Sequence, residues 1–196
     1  MKLDSAGFSP DGRHRRARIC VIELGATELG QSFDAVPLQR GAAASKAESS
    51  VALWESAALI WYLAAKNRER GFVPSDPRAE ADTLRWMFFC SREIDPYFAA
   101  LVVERLLKPR RGSRPDGGLA AEAEGMLARS IPVLERQLAA HDYVAGGFGL
   151  ADIALGCTFE LAAMVDVDLA PFPNIRGWLA RLAARESWRK ATLSAA

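Results

Sequence analysis

The stretch Gly71-Phe72-Val73-Pro74-Ser75-Asp76-Pro77 divides the chain. Two prolines, a glycine and turn-forming Ser and Asp stand between two helical patterns, and a proline nitrogen carries no hydrogen for a helix or strand ladder. Beyond the break, apolar residues recur at three- and four-residue spacing; before it, short alternating stretches are mixed with helical ones. The pattern predicts a small mixed α/β unit over 1–70, a linker over 71–77 and an all-helical unit over 78–196.

The length suits this division, because 196 residues at roughly 100–200 per domain allow one large unit or two small ones. Lys plus Arg number 25 against 24 acids, a net charge of +1, so no global field points to nucleic acid or to an anionic membrane. An acid, Asp4, stands where a signal peptide would be apolar, and no run approaches the roughly 18 apolar residues of a membrane span. The expectation is a cytoplasmic protein. Cys20, Cys90 and Cys157 are odd in number and far apart, and only His14 and His141 could assist them, which predicts buried free thiols and no metal site.

In the first unit a short strand is expected within 1–8. Ser9, Pro10 and Asp11 then read as a helix start, with the hydroxyl as cap and proline at the first helical position. The helix that follows, over 13–24, has Ile19, Val21, Ile22 and Leu24 for burial and Gly25 as its stop. Its first turns carry Arg13-His14-Arg15-Arg16-Ala17-Arg18, positive charge near the positive end of a helix dipole. Either an anion compensates this run, or it is a solvated face paired with acids elsewhere. Residues 32–38 alternate like a strand, with Pro37 confining it to an edge or end, and 50–53 is a further strand candidate.

A second helix is expected over 55–67, opened by Glu55 and Ser56. A helix start exposes free N–H groups and favours negative charge, so this pair either forms a carboxylate pocket or caps the helix and nothing more.

In the second unit, 78–107 is spaced as a long amphipathic helix with a kink at Asp95-Pro96. Trp86, Phe89, Arg92 and Tyr97 lie on it, and aromatics at this spacing serve either a pocket or the core. A basic, Pro- and Gly-rich loop over 108–118 leads to a helix over 119–141, which Pro132 is expected to bend. Tyr143-Val144-Ala145-Gly146-Gly147-Phe148 is a tight turn before an apolar helix over 150–164, where Asp152 reads as a structural acceptor of backbone N–H groups. Pro171-Phe172-Pro173-Asn174 breaks the chain again before a final helix pair, with Trp178, Leu179, Leu182 and Trp188 turned inward.

In this order, the Glu-Ser segment over 53–64, the linker over 72–77, the Tyr143–Gly146 turn with Leu150-Ala151-Asp152-Ile153-Ala154, and Phe172-Pro173-Asn174-Ile175-Arg176-Gly177-Trp178-Leu179 resemble the cytosolic glutathione transferases. The resemblance implies a thioredoxin-like N-terminal domain that binds glutathione as co-substrate, an all-α C-terminal domain that supplies the second-substrate pocket, and a homodimer. By the same resemblance Glu55 and Ser56 match the pair that holds the γ-glutamyl ammonium and carboxylate. Ser9 lies where many members place the hydroxyl or thiol that hydrogen-bonds the glutathione sulfur and lowers its pKa. Trp86, Phe89, Arg92 and Tyr97 would line the second-substrate pocket.

The chain departs from the pattern between Leu38 and Leu53, where the family fits a helix and a strand carrying a cis-proline. Residues 39–52 contain no proline, so either that strand is missing or Val36-Pro37-Leu38 is its remnant. Gly149 replaces the Ser or Thr cap three residues before Asp152. The implied function is a glutathione-dependent addition, elimination or isomerisation on a hydrophobic electrophile. The alternatives are a non-catalytic binding or assembly protein of the same fold, and an enzyme that uses the interdomain cleft for another small molecule.

Overall fold

The computed structural model describes residues 13–25 and 55–192. The expectations for 1–12 and 26–54, including Ser9, the strands and Pro37, lie outside the described residues. Among those described, nine helices follow one another: α1 Arg13–Glu23, α2 Ser56–Lys66, α3 Pro77–Phe89, α4 Asp95–Val102, a single turn α5 Lys108–Arg110, α6 Gly117–Leu138, α7 Leu150–Phe159, α8 Pro173–Ala183 and α9 Glu186–Thr192. All-helical structure after the break is as the periodicity predicts.

The boundaries follow from local chemistry. Asp76 accepts the Ala79 N–H at 2.9 Å and Pro77 occupies the first turn, where a missing N–H costs nothing, so the linker ends in a well-capped α3. Asp116 starts α6 in the same way, accepting from Gly118 at 2.8 Å and Leu119 at 3.2 Å. The kink expected at Asp95-Pro96 is a π-helical turn, Cys90–Ile94, between α3 and α4. Pro96 cannot donate to the carbonyl a turn earlier and its ring crowds that carbonyl, so the chain takes up an extra residue and restarts at Asp95. A second π turn, Val103–Leu107, precedes Pro109.

Helix α7 is the axis of the molecule. Every residue from Leu150 to Phe159 is buried, so its sequence shows no polar face. It ends at Phe159, short of the expected 164, and a 3₁₀ turn, Ala162–Val165, completes the segment. Phe98 of α4 and Trp178 of α8 pack on Phe159 with ring centroids 5.5 and 6.2 Å away.

Asp152 anchors the start of α7 as expected. Its carboxylate accepts the Val144 and Gly149 N–H groups at 3.0 Å and the Trp178 indole N–H at 2.8 Å, which ties the Tyr143–Gly149 turn and α8 to the central helix. Gly149 has no side chain with which to return the bond. Burial raises the carboxyl from 3.8 to about 6, against the lowering effect of these donors. Cys20, Cys90 and Cys157 are buried free thiols. Burial pushes Cys20 and Cys157 up to about 12, outside the range of reactive thiolates.

Candidate functional site

The functional candidates meet at the other end of α7. Helix α2 begins abruptly: Glu55 has φ 76° and ψ 112°, a left-handed backbone for a residue with a Cβ, and its carbonyl accepts the Leu59 N–H at 3.0 Å. The Glu55 side chain makes no capping bond and is exposed. A helix start that holds a non-glycine residue in this conformation and leaves its carboxylate facing water is poorly accounted for by capping alone.

Behind it stands Arg16, which is 2% exposed. Its guanidinium reaches four elements beyond its own helix. It donates to the Asp95 oxygens at 2.6 and 2.9 Å, to the Ala154 carbonyl at 3.0 Å and to Ser56 Oγ at 3.1 Å. It also donates to Thr158 Oγ1 and approaches the Cys90 sulfur at 3.5 Å. Thr158 in turn donates to Asp95 Oδ1 at 2.5 Å. The Arg16 fork thus joins α1 to the start of α2, the π turn, the start of α4 and the last turns of α7.

Burial alone would lower the Arg16 pKa, but the paired Asp95 carboxylate beside it opposes that, and the guanidinium stays charged with its pKa raised. Burial pushes the Cys90 thiol up, so it serves here as a weak hydrogen-bonding neighbour and not as a nucleophile. The Asp95 side chain is 28% exposed, so one member of the pair reaches solvent.

These groups line a cavity of about 220 Å³. Arg16, Glu55, Ser56, Asp95 and Thr158 form its polar side; Pro96, Phe98, Ala99 and Leu161 form an apolar side. A carboxylate, a hydroxyl and the N-terminus of an eleven-residue helix converge over a buried cation, a combination suited to a small zwitterion.

The structure brings Glu55 and Ser56 together at this cavity. Trp86, Phe89, Arg92 and Tyr97 are not among its lining residues. Trp86 is 4% exposed and stacks edge-on with Phe89 at 5.2 Å, with its indole N–H unpartnered among the described residues. Arg92 is exposed and Tyr97 half-buried.

Arg16, Asp95 and Thr158 are the members that sequence reasoning missed. The signal was the basic run at a helix start, which asked for a compensating anion. The structure answers with Asp95 for Arg16 and with Glu160 for Arg15, at 2.5 and 2.8 Å. Arg15 and Arg16 are thus paired with distant acids, and Arg16 is buried.

Comparison with known proteins bears on both halves of this picture. Residues 86–186 match the family model "Glutathione S-transferase, C-terminal domain". A glutathione S-transferase of Hyoscyamus muticus is 30% identical over 149 residues, spanning 74% of this chain and 70% of the relative. Among solved structures, a ternary complex of the bacterial transferase BphK aligns over 96% of this chain and 97% of its own, with a TM-score of 0.77 at 21% identity. A glutathione S-transferase-I bound to lactoylglutathione aligns over 92% of this chain and 93% of its own, with a TM-score of 0.74 at 20% identity.

Proposed function

The chain belongs to the glutathione S-transferase family, and from that premise we propose that it is a glutathione-dependent transferase. It acts on a hydrophobic electrophile by addition, elimination or isomerisation. One observation carries the reading: the Glu55-Ser56 start of α2 opens on a cavity whose back wall is a buried, charged Arg16 braced by Asp95.

The γ-glutamyl end of glutathione carries an ammonium and a carboxylate. The exposed Glu55 carboxylate answers the first, and the Ser56 hydroxyl with the free N–H groups of the first turn answers the second. Arg16 donates to Ser56 Oγ, so that oxygen already accepts a hydrogen bond and its own proton is left to point at the ligand carboxylate. The guanidinium adds a positive field behind the site without being exposed to compete for the ligand ammonium.

The remaining assignments extend the same reading. Residues 1–70 form a thioredoxin-like unit that lacks a strand, 71–77 are the linker, and 78–196 are the helical unit. Ser9 donates to the glutathione sulfur and favours the thiolate. Phe89, Arg92 and Tyr97, which keep accessible surface, form a wall for the electrophile, with the buried Trp86 packed behind Phe89. The active form is a cytoplasmic homodimer.

Calorimetric titration with glutathione tests the anchor. Binding is expected, and Ser56→Ala should weaken it by about ten- to a hundredfold, the loss of one hydrogen bond to a charged group. No binding, or binding indifferent to the substitution, sinks the reading and favours a binding or assembly role for the fold.

A further inference from the structure

Asp95 holds the Arg16 guanidinium at its far end, but the helix that carries Arg16 is itself gripped from the C-terminal end of the chain. Glu23, in the last turn of α1, has a side chain only 13% exposed. It accepts from Arg185 Nε and Nη2, both at 2.8 Å, and from Ser187 Oγ at 2.5 Å. The Arg185 guanidinium lies 3.5 Å from the centroid of the Phe148 ring, which holds the fork flat against the turn before α7. Two turns earlier, Arg15 pairs with Glu160 and donates to the Trp188 carbonyl at 3.2 Å.

The seat for this grip is built into α7. A Cβ on Gly156 would stand 2.5 Å from Leu182 Cδ1 and 3.0 Å from the Trp188 ring, so the segment Arg185–Trp188 comes close only because that position has no side chain. Glu23 and Arg16 are seven residues apart on one helix, about two turns or 10 Å. Over that distance a helix is stiff, and a displacement at Glu23 reaches Arg16, whose bonds of 2.6–3.1 Å to Asp95, Ala154 and Ser56 tolerate only a small shift.

We propose that Arg185 is a positioning residue for the cleft: through Glu23 it fixes α1, and through α1 it sets where Arg16 meets Ser56 and Asp95. The inference rests on reading the cleft as the seat of glutathione. Its effect falls on binding of that co-substrate and not on the chemical step, because among the described residues Arg185 is not one of those that line the cavity.

The test is steady-state turnover of glutathione with an aryl halide electrophile, together with amide exchange, on Arg185→Ala, Arg185→Lys and Glu23→Gln. Arg185→Ala should raise KM for glutathione on the order of tenfold while kcat stays within about twofold. Glu23→Gln, at the other end of the grip, should move KM the same way, and Arg185→Lys should recover part of the loss. Exchange should quicken over 13–23 and 56–60 and stay unchanged over 150–159. An unaltered KM in both Arg185→Ala and Glu23→Gln overturns the proposal, as does faster exchange confined to 13–23. If the parent protein does not turn glutathione over, the reading of the cleft fails separately. Exchange over 56–60 in Arg185→Ala then still decides whether Arg185 positions the site.

Discussion

The two ends of helix α7 each hold a carboxylate, and they are put to different uses. At the start, Asp152 is fully buried and its carboxylate accepts N–H groups of the neighbouring turn and of Trp178. At the end, Asp95 is paired with a buried cation, accepts the Thr158 hydroxyl and stays 28% exposed on the edge of a cavity. A sealed, satisfied carboxylate holds the fold. A charged pair with one member reaching solvent can hold the fold and still meet a ligand.

The contrast is broken most severely at the sealed end. Asp152→Ala leaves three N–H donors unpaired, each costing about 1–3 kcal/mol, so a loss of about 4 kcal/mol in urea denaturation is expected, with any residual folded protein keeping its glutathione affinity. The sign of its pH dependence follows from the raised carboxyl. A group at about 6 in the folded protein against 3.8 ordinarily binds its proton more tightly when folded. The stability it contributes is complete below the lower value and declines as the pH rises through the upper one. The substitution should therefore cost more near pH 4 (about the lower value) than near pH 7; equal costs would show that Asp152 is ionised with ease in the fold.

At the open end, Asp95→Ala strands the Arg16 charge in the interior. A stability loss of about 3 kcal/mol is expected, smaller than at Asp152 because the site is partly open, but here glutathione affinity should fall as well, by more than tenfold. Intact affinity in calorimetry would place Asp95 with Asp152 as a purely structural acid. Thr158→Val is the mildest change. It removes one hydroxyl between Arg16 and Asp95 while keeping the volume, and about 1–2 kcal/mol of stability should go with it, with a fewfold loss of affinity. A neutral result would mean that the Arg16–Asp95 pair needs no third partner.

Which of these two ends was visible in the sequence follows from range. Asp152 lies three residues after Gly149 and eight after Val144, so its backbone partners were within one local motif and its structural role could be read directly, although the Trp178 indole reaches it from 26 residues away. The non-helical break over 71–76, the capped start of α3 and the Pro96 kink were legible for the same reason, each being set by proline or aspartate chemistry within a few residues. Arg16 meets Asp95 across 79 residues and Thr158 across 142. Nothing local distinguishes it from Arg15 or Arg18 beside it, and the charge run signalled only that an anion was needed. The end of α7 was missed by a few residues because a fully buried helix and the 3₁₀ turn after it are both continuously apolar.

The amino-acid sequence by itself determined the helical second unit, the break before it, the free thiols and the cap of the central helix, because propensity, proline geometry and capping act over one or two turns. Only the tertiary structure decided which arginine is buried, which acid balances it and where the Glu55-Ser56 pair opens. A buried charge is tolerable only where distant segments converge to surround it, and that convergence is a property of the packed chain.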